Sequence, residues 1–271
     1  MTLQLPAQPH AAVTVDFANP LARGLVGCWV ITDDSLLPRN IANGVADSPG
    51  LLNGGAGLAA VIGSGGFALS QNGTSTGGIV TGPLPGLVSS EITVLAGAAF
   101  QPSNPASNSP LAISIGSVQG VDSSINLGMW DNQYVWFDMG NDYTYRPIPG
   151  GFIAGAPIMI GAVLNRDLSR ALYVNGVRLG GEVSAKGLYN GNGSVALMQQ
   201  RSIQTANTAM NGLFYFAYVW SRSLIPAEFA LLTDSPYRFL LPAHKTNADV
   251  APSSAAGMFT GAHHLSIGIG L

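Results

Sequence analysis

The 271-residue chain carries 11 Lys and Arg against 14 Asp and Glu, a formal net charge of -3 with only 9% charged residues and a pI near 5.7. That balance offers no basic field for a phosphate backbone, which excludes nucleic acid as an expected ligand, and the single cysteine, Cys28, excludes an intrachain disulfide or a Cys-based metal cluster. The longest apolar runs fall well short of the roughly 20 residues of a spanning helix, so no membrane partner is expected. Residues 1–10 lack a basic stretch followed by an apolar one, and no signal peptide is expected. So few charges leave little self-repulsion, and association with other proteins or with further copies of the chain is expected.

Taken in chain order, the sequence reads as short β-rich runs punctuated by Gly, Asn, Ser and Pro, the pattern of an all-β sandwich. Strands are predicted over residues 24–31, 59–62, 67–70, 92–100, 111–115, 125–129 and 134–138. A meander follows over 158–179: a strand ending at Leu164, a turn at Asn165-Arg166-Asp167, then a strand over 170–174. Asn175-Gly176 comes next, the dipeptide that accepts positive φ at both centres of a type I′ hairpin. In residues 213–220 both alternating sets are apolar or aromatic, which predicts a central strand covered on both faces. One helix is predicted from Pro226 to about Thr233, with Pro at its first position and Glu228 in its first turn.

Beyond Pro242 the composition turns to that of a linker, and the chain ends in Met258-Phe259 and an alternating Leu265, Ile267, Ile269, Leu271. This alternation predicts an assembly arm that adds to a neighbour's sheet edge. The expected organisation is an N-terminal arm over 1–18, a sandwich over 19–241, and a linker and arm over 242–271.

Each motif with the letters of a chemical site also has a plainer reading. Gly73-Thr74-Ser75-Thr76-Gly77 has the letters of a nucleophile elbow, but strand-like residues follow where a helix is required. The glycine-rich stretch from Gly63 to Gly66 lacks the following helix of a dinucleotide loop, and a bend between strands accounts for it. Glycoside hydrolysis needs two facing carboxylates. Glu91 and Glu182 each stand alone, so no enzymatic activity and no catalytic residue is expected. His10, His244, His263 and His264 lack the spacing that places two imidazoles on one helix face, and no metal ligand is assigned. Carbohydrate recognition uses exposed aromatic faces beside polar side chains. Trp130-Asp131-Asn132-Gln133-Tyr134 is the best such patch, with Trp130, Asp131 and Tyr134 as candidate glycan-binding residues, and residues 142–146 form the second; core or interface packing of these rings is the plainer reading.

Three segments resemble the LamG-like, concanavalin A-like proteins encoded in many phage and prophage genomes. They are Asn19-Pro20-Leu21-Ala22-Arg23-Gly24-Leu25 with the strand after it, Leu172-Tyr173-Val174-Asn175-Gly176, and the run from Phe216 through Arg222 and Glu228 to Phe229, closed by Pro236-Tyr237-Arg238-Phe239. Ile225 departs from the family pattern, which has Ser or Thr there; without that side-chain oxygen a reciprocal capping box cannot form, and Pro226 with burial of Ile225 is expected to stabilise the helix start instead.

The resemblance implies an antiparallel β-sandwich or jelly roll, and a structural accessory protein of a tailed-phage virion. Capsid decoration or cement is the leading location and the tail the next, with the major capsid or tail protein as partner, further copies of the chain in a homo-oligomer, and the virion as its place. The alternative is a carbohydrate-binding module for host or environmental glycans. No cofactor is expected. Some LamG-like domains bind calcium through loop oxygens, and Asp131-Asn132, residues 138–142 and residues 165–167 are candidates for it, although turn residues bonding their own backbone are the simpler account.

Overall fold

The computed structural model describes residues 8–9, 11–32, 37–42, 49–63, 66–73, 76–84, 87, 91–102, 109–116, 124–139, 142–183, 194–200 and 208–243. The predicted assembly-arm residues Met258, Phe259, Leu265, Ile267 and Ile269 and the four histidines lie outside them.

Two antiparallel sheets face each other. The first runs in the order β11 (Tyr143–Pro147), β10 (Tyr134–Met139), β9 (Ser124–Trp130), β8 (Leu111–Gly116), β15 (Ser194–Leu197), β6 (Gly78–Pro83), β3 (Gly50–Leu52). The second runs β14 (Val177–Val183), β13 (Ser169–Val174), β12 (Ile158–Leu164), β7 (Ile92–Phe100), β16 (Asn211–Trp220), β5 (Gly66–Asn72), β4 (Leu58–Gly63), with β2 (Leu25–Val30) also paired to β16. Alternation of side chains along each strand sends Ile113, Ile115, Leu127, Val135 and Phe137 of the first sheet against Val94, Ile160, Leu172, Phe214 and Val219 of the second. This is the sandwich core.

The second sheet is covered on its other face as well. Leu95, Tyr173, Tyr215, Phe216, Tyr218 and Trp220 form a second apolar layer with Phe229 and Leu232 of helix α1 (Pro226–Asp234) and with Tyr237 and Phe239. β16 therefore buries both alternating sets, as its composition predicts. Tyr173 and Phe229 stack at 3.8 Å between ring centroids. The same layer is closed by β1 (Val13–Val15), which pairs with β17 (Leu240–Pro242).

Local chemistry explains the two best-defined connections. Asn175 and Gly176 have φ of 47° and 77°, and the Asn175 side-chain oxygen accepts the Met159 N–H at 2.8 Å, so the hairpin predicted there is also tied to β12. At the start of α1, Glu228 accepts the Ile225 N–H at 2.9 Å, which is the half of a capping box that does not need a polar residue at the cap. Arg222 holds the same carboxylate at 2.7 and 2.9 Å and donates to the Arg23 carbonyl at 2.6 Å. The expectation that Ile225 would be buried is incorrect: it is 59% exposed. Its neighbour Leu224 takes the buried position, its N–H held by Thr93 Oγ1 at 2.9 Å.

A charged seam closes the open side of the sandwich between β11 and β14. Arg170, 1% exposed, points from the core face of β13 to the Asp142 carbonyl at 2.6 Å and its carboxylate at 3.3 Å, and lies over the Phe137 ring. Burial lowers the Arg170 pKa, opposed by the charges of Asp142, Asp138 and Glu182. No helix among the described residues is long and apolar enough to cross a membrane.

Candidate binding site

The outer face of β9, β10 and β11 carries aromatic rings where a solvent-facing sheet would carry small polar residues. Because Val135, Phe137 and Met139 point into the core, Tyr134, Trp136 and Asp138 point outward. Register then sets their neighbours: Tyr134 lies opposite Trp130 and Pro147, Trp136 opposite Gly128 and Tyr145, and Asp138 opposite Asn126 and Tyr143. The next strand adds Ser114 beside Asn126.

The result is a diagonal of rings beside a polar row. Trp136 meets Trp130 edge-on at 6.1 Å and Tyr143 at 5.8 Å, and Tyr134 meets Tyr145 at 5.6 Å. Trp136 is buried at the centre, whereas Trp130, Tyr143 and Tyr145 are 40%, 48% and 55% exposed. The polar row of Ser114, Asn126 and Asp138 is buried. Asn126 Nδ2 donates to Asp138 Oδ2 at 2.9 Å and to Ser124 Oγ at 3.2 Å. Among the described residues the Trp136 indole N–H and the Asn126 side-chain oxygen have no hydrogen-bond partner. Burial, then the Asp138 charge, raises the Tyr143 pKa, so its hydroxyl stays protonated and able to donate.

The three sequence candidates fall differently in this arrangement. Trp130 and Tyr134 are cross-strand neighbours within it. Asp131 sits in the β9–β10 turn, where it and Asn132 take φ of 49° and 54° and the Gln133 N–H donates to the Trp130 carbonyl at 3.1 Å; its geometry is that of a type I′ turn residue. Trp136 was missed as a site residue because one strand's alternation does not say which face meets solvent. Residues 142–146 are a separate aromatic patch in the sequence, and pairing of β11 with β10 joins the two patches into one surface.

Other motifs take structural places. Gly63 pairs with Gly66 at the β4–β5 hairpin, and the elbow-like glycines Gly73 and Gly77 lie between β5 and β6, both strands. Asp167 accepts the Ser169 N–H at 3.0 Å and its hydroxyl at 2.6 Å, and these bonds lower its pKa. No group of three or more His, Cys, Asp or Glu side chains that could hold a metal ion occurs among the described residues.

No family model matches the sequence, and no curated protein matches it. Solved structures do match. The binding domain of Paraclostridial Mosquitocidal Protein 1 superposes with a TM-score of 0.62 at 12% identity, over 80% of this chain and 53% of that one, so the chain spans about half of that length. Domain 4 of AbnA, a GH43 extracellular arabinanase from Geobacillus stearothermophilus in complex with arabinotriose, gives 0.56 at 16% identity over 77% of this chain and 98% of that one. Trypanosoma rangeli sialidase in complex with sialic acid gives 0.59 at 17% identity over 85% and 36%. At these identities the likeness is one of fold. Architecture and neighbours together define an antiparallel β-sandwich of the jelly-roll type.

Proposed function

We propose that this chain is a glycan-binding β-sandwich that acts by binding rather than turnover, with the ligand lying over Trp130, Tyr143 and Tyr145. The observation that carries this reading is the exposure of three rings, braced by the buried Trp136, beside a row of buried polar side chains. Aromatic faces supply apolar area to the C–H faces of a sugar, and hydroxyl-bearing tips supply hydrogen bonds. The reading is supported by neighbours that are themselves binding domains, and by an arabinanase domain in complex with arabinotriose that is covered almost end to end. Across three strands the rings spread over roughly 10 Å, since neighbouring strands lie about 4.8 Å apart. An extended oligosaccharide suits that span better than a single sugar.

The test is a glycan array followed by calorimetry on the best ligand. Trp130→Ala is expected to weaken binding at least about tenfold, ~1.4 kcal/mol, with the melting temperature unchanged because the ring is already partly in water. Binding untouched by Trp130→Ala and by Tyr143→Ala with Tyr145→Ala would remove the site from this face. Release of reducing ends from any bound polysaccharide would replace the binding reading with an enzymatic one.

A second reading, a virion structural protein that assembles as capsid decoration or in the tail, is carried by the phage-type sequence resemblance and by the alternating apolar residues 265–271. Light scattering on the full chain and on a chain ending at Pro242 separates the two. Assembly that depends on residues 243–271 supports the structural role, and a monomer in both cases removes it.

A further inference from the structure

We infer that the outer edge of β4 is the acceptor for residues 265–271 of a second copy of this chain, which add to it as a further strand. This rests on the assembly reading rather than the glycan one, and names the contact through which copies would meet. A sheet edge presents unpaired N–H and C=O groups, and proteins blunt such edges with charge, proline, bulges, short strands or a covering segment. Most edges of this fold are blunted in one of those ways. β1, β3 and β17 are three residues long. The free side of β2 is covered by Asn40, whose side chain accepts the Cys28 N–H at 2.9 Å and donates to the Val26 carbonyl at 3.1 Å, while the Ile41 N–H donates to the Cys28 carbonyl at 2.9 Å. β11 and β14 are held to each other by Arg146, which donates to the Gly181 carbonyl and pairs with Glu182. In addition, β14 bulges opposite Leu172 and Tyr173, and β11 ends in Pro147.

β4 is the exception. It lies at the end of its sheet beside β5, and among the described residues nothing pairs with its other side. Its sequence, Leu58-Ala59-Ala60-Val61-Ile62-Gly63, contains no charge and no proline. Leu58 and Ala60 pack against the sandwich core and Val61 against the second apolar layer, so alternation puts Ile62 on the core side of the sheet, yet it is 80% exposed. Residues 265–271 have the complementary pattern: Leu265, Ile267, Ile269 and Leu271 alternate with Ser266, Gly268 and Gly270. As a strand this segment would match β4 in length, lay its apolar side chains beside Leu58 and Ile62, and set small residues beside Ala59 and Val61. Residues 243–264, between β17 and this segment, can span up to roughly 70 Å when extended, enough to reach a neighbouring molecule. The 9% of charged residues leaves little repulsion between copies.

The experiment combines light scattering on the full chain, with and without Ile62→Lys, over a series of concentrations, with disulfide cross-linking between two populations of the full chain mixed dilute and then concentrated. One population carries Ile62→Cys; the other carries Leu265→Cys, Ile267→Cys, Ile269→Cys or Leu271→Cys in turn, which scans the register. The native Cys28 is buried and does not compete. The wild-type chain is expected to show a mass of two or more copies, and Ile62→Lys to dissociate at a concentration at least about tenfold higher, with its circular dichroism spectrum unchanged because the side chain is already in water. At least one of the four pairs is expected to give a disulfide between the two populations. An assembly that Ile62→Lys leaves unchanged, or that yields no cross-link in any of the four pairs, overturns this inference while leaving the assembly reading in place. A full chain that stays monomeric at every concentration overturns both.

Discussion

Glu228 is the residue on which several parts of the fold converge. Its carboxylate caps the helix through the Ile225 N–H and is held by Arg222, which also bonds the Arg23 carbonyl before β2. Burial alone would raise the Glu228 pKa, but these hydrogen bonds and the Arg222 charge outweigh it and hold the group below its ordinary 4.5. A carboxylate whose folded-state pKa lies below its unfolded value contributes stability that is complete above the unfolded pKa and is lost as pH falls through the folded one. Glu228→Gln is therefore expected to cost about 1 kcal/mol at neutral pH. The difference from wild type should shrink as pH falls below 4.5, as read by urea unfolding at a series of pH values. A difference constant across that range would show that charge is not what Glu228 contributes.

At the scale of elements, close packing on both faces of the second sheet depends on small residues opposite large ones. Gly97 of β7 is paired with Phe216 of β16, and a Cβ there would lie 2.2 Å from the Phe216 ring. Gly161 of β12 leaves room in the same way for Phe229 of α1, whose ring would be 2.6 Å from an added Cβ. Gly97→Ala is expected to destabilise the protein by about 1 to 3 kcal/mol through overpacking, measured by chemical denaturation. Ala at Gly150, where nothing lies within 4 Å but φ is 78°, is a useful contrast, since strain alone acts there. The glycines in strands were legible as strand residues, but their partners across the sheet were not.

For the molecule as a whole, the N-terminal segment is more than an appendage. Val15 is 6% exposed, β1 pairs with β17, and the Asp16 N–H donates to the Phe239 carbonyl at 2.8 Å. A chain beginning at residue 19 would lose that pairing and uncover part of the second apolar layer. Losing a buried valine and its strand costs about 2 kcal/mol, which lowers Tm by roughly 4 to 8 °C for a chain of this size. An unchanged melting curve would mean that the 13–15 strand adds nothing to stability, and that a sandwich starting at residue 19 is self-sufficient.

The amino-acid sequence alone determined the all-β class, the Asn175-Gly176 hairpin, the doubly covered strand ending at Trp220 and the short helix. These are local features, set by side-chain alternation, turn chemistry and proline, and they need no knowledge of what pairs with what. Strands such as β3, β6, β11 and β15 were not legible, because short runs bounded by Gly, Pro and polar residues become strands only through the neighbours that accept their hydrogen bonds. The candidate site shows the same division. Trp130 and Tyr134 could be named from composition, but that they share a face with Trp136, Tyr143 and Tyr145, and that Asn126 and Asp138 lie beside them, was decided by register between three strands. Register is a long-range property: it brings residues 126, 138 and 143 to one row, and only the packed tertiary structure chooses which face of that row meets the core and which is left for a ligand.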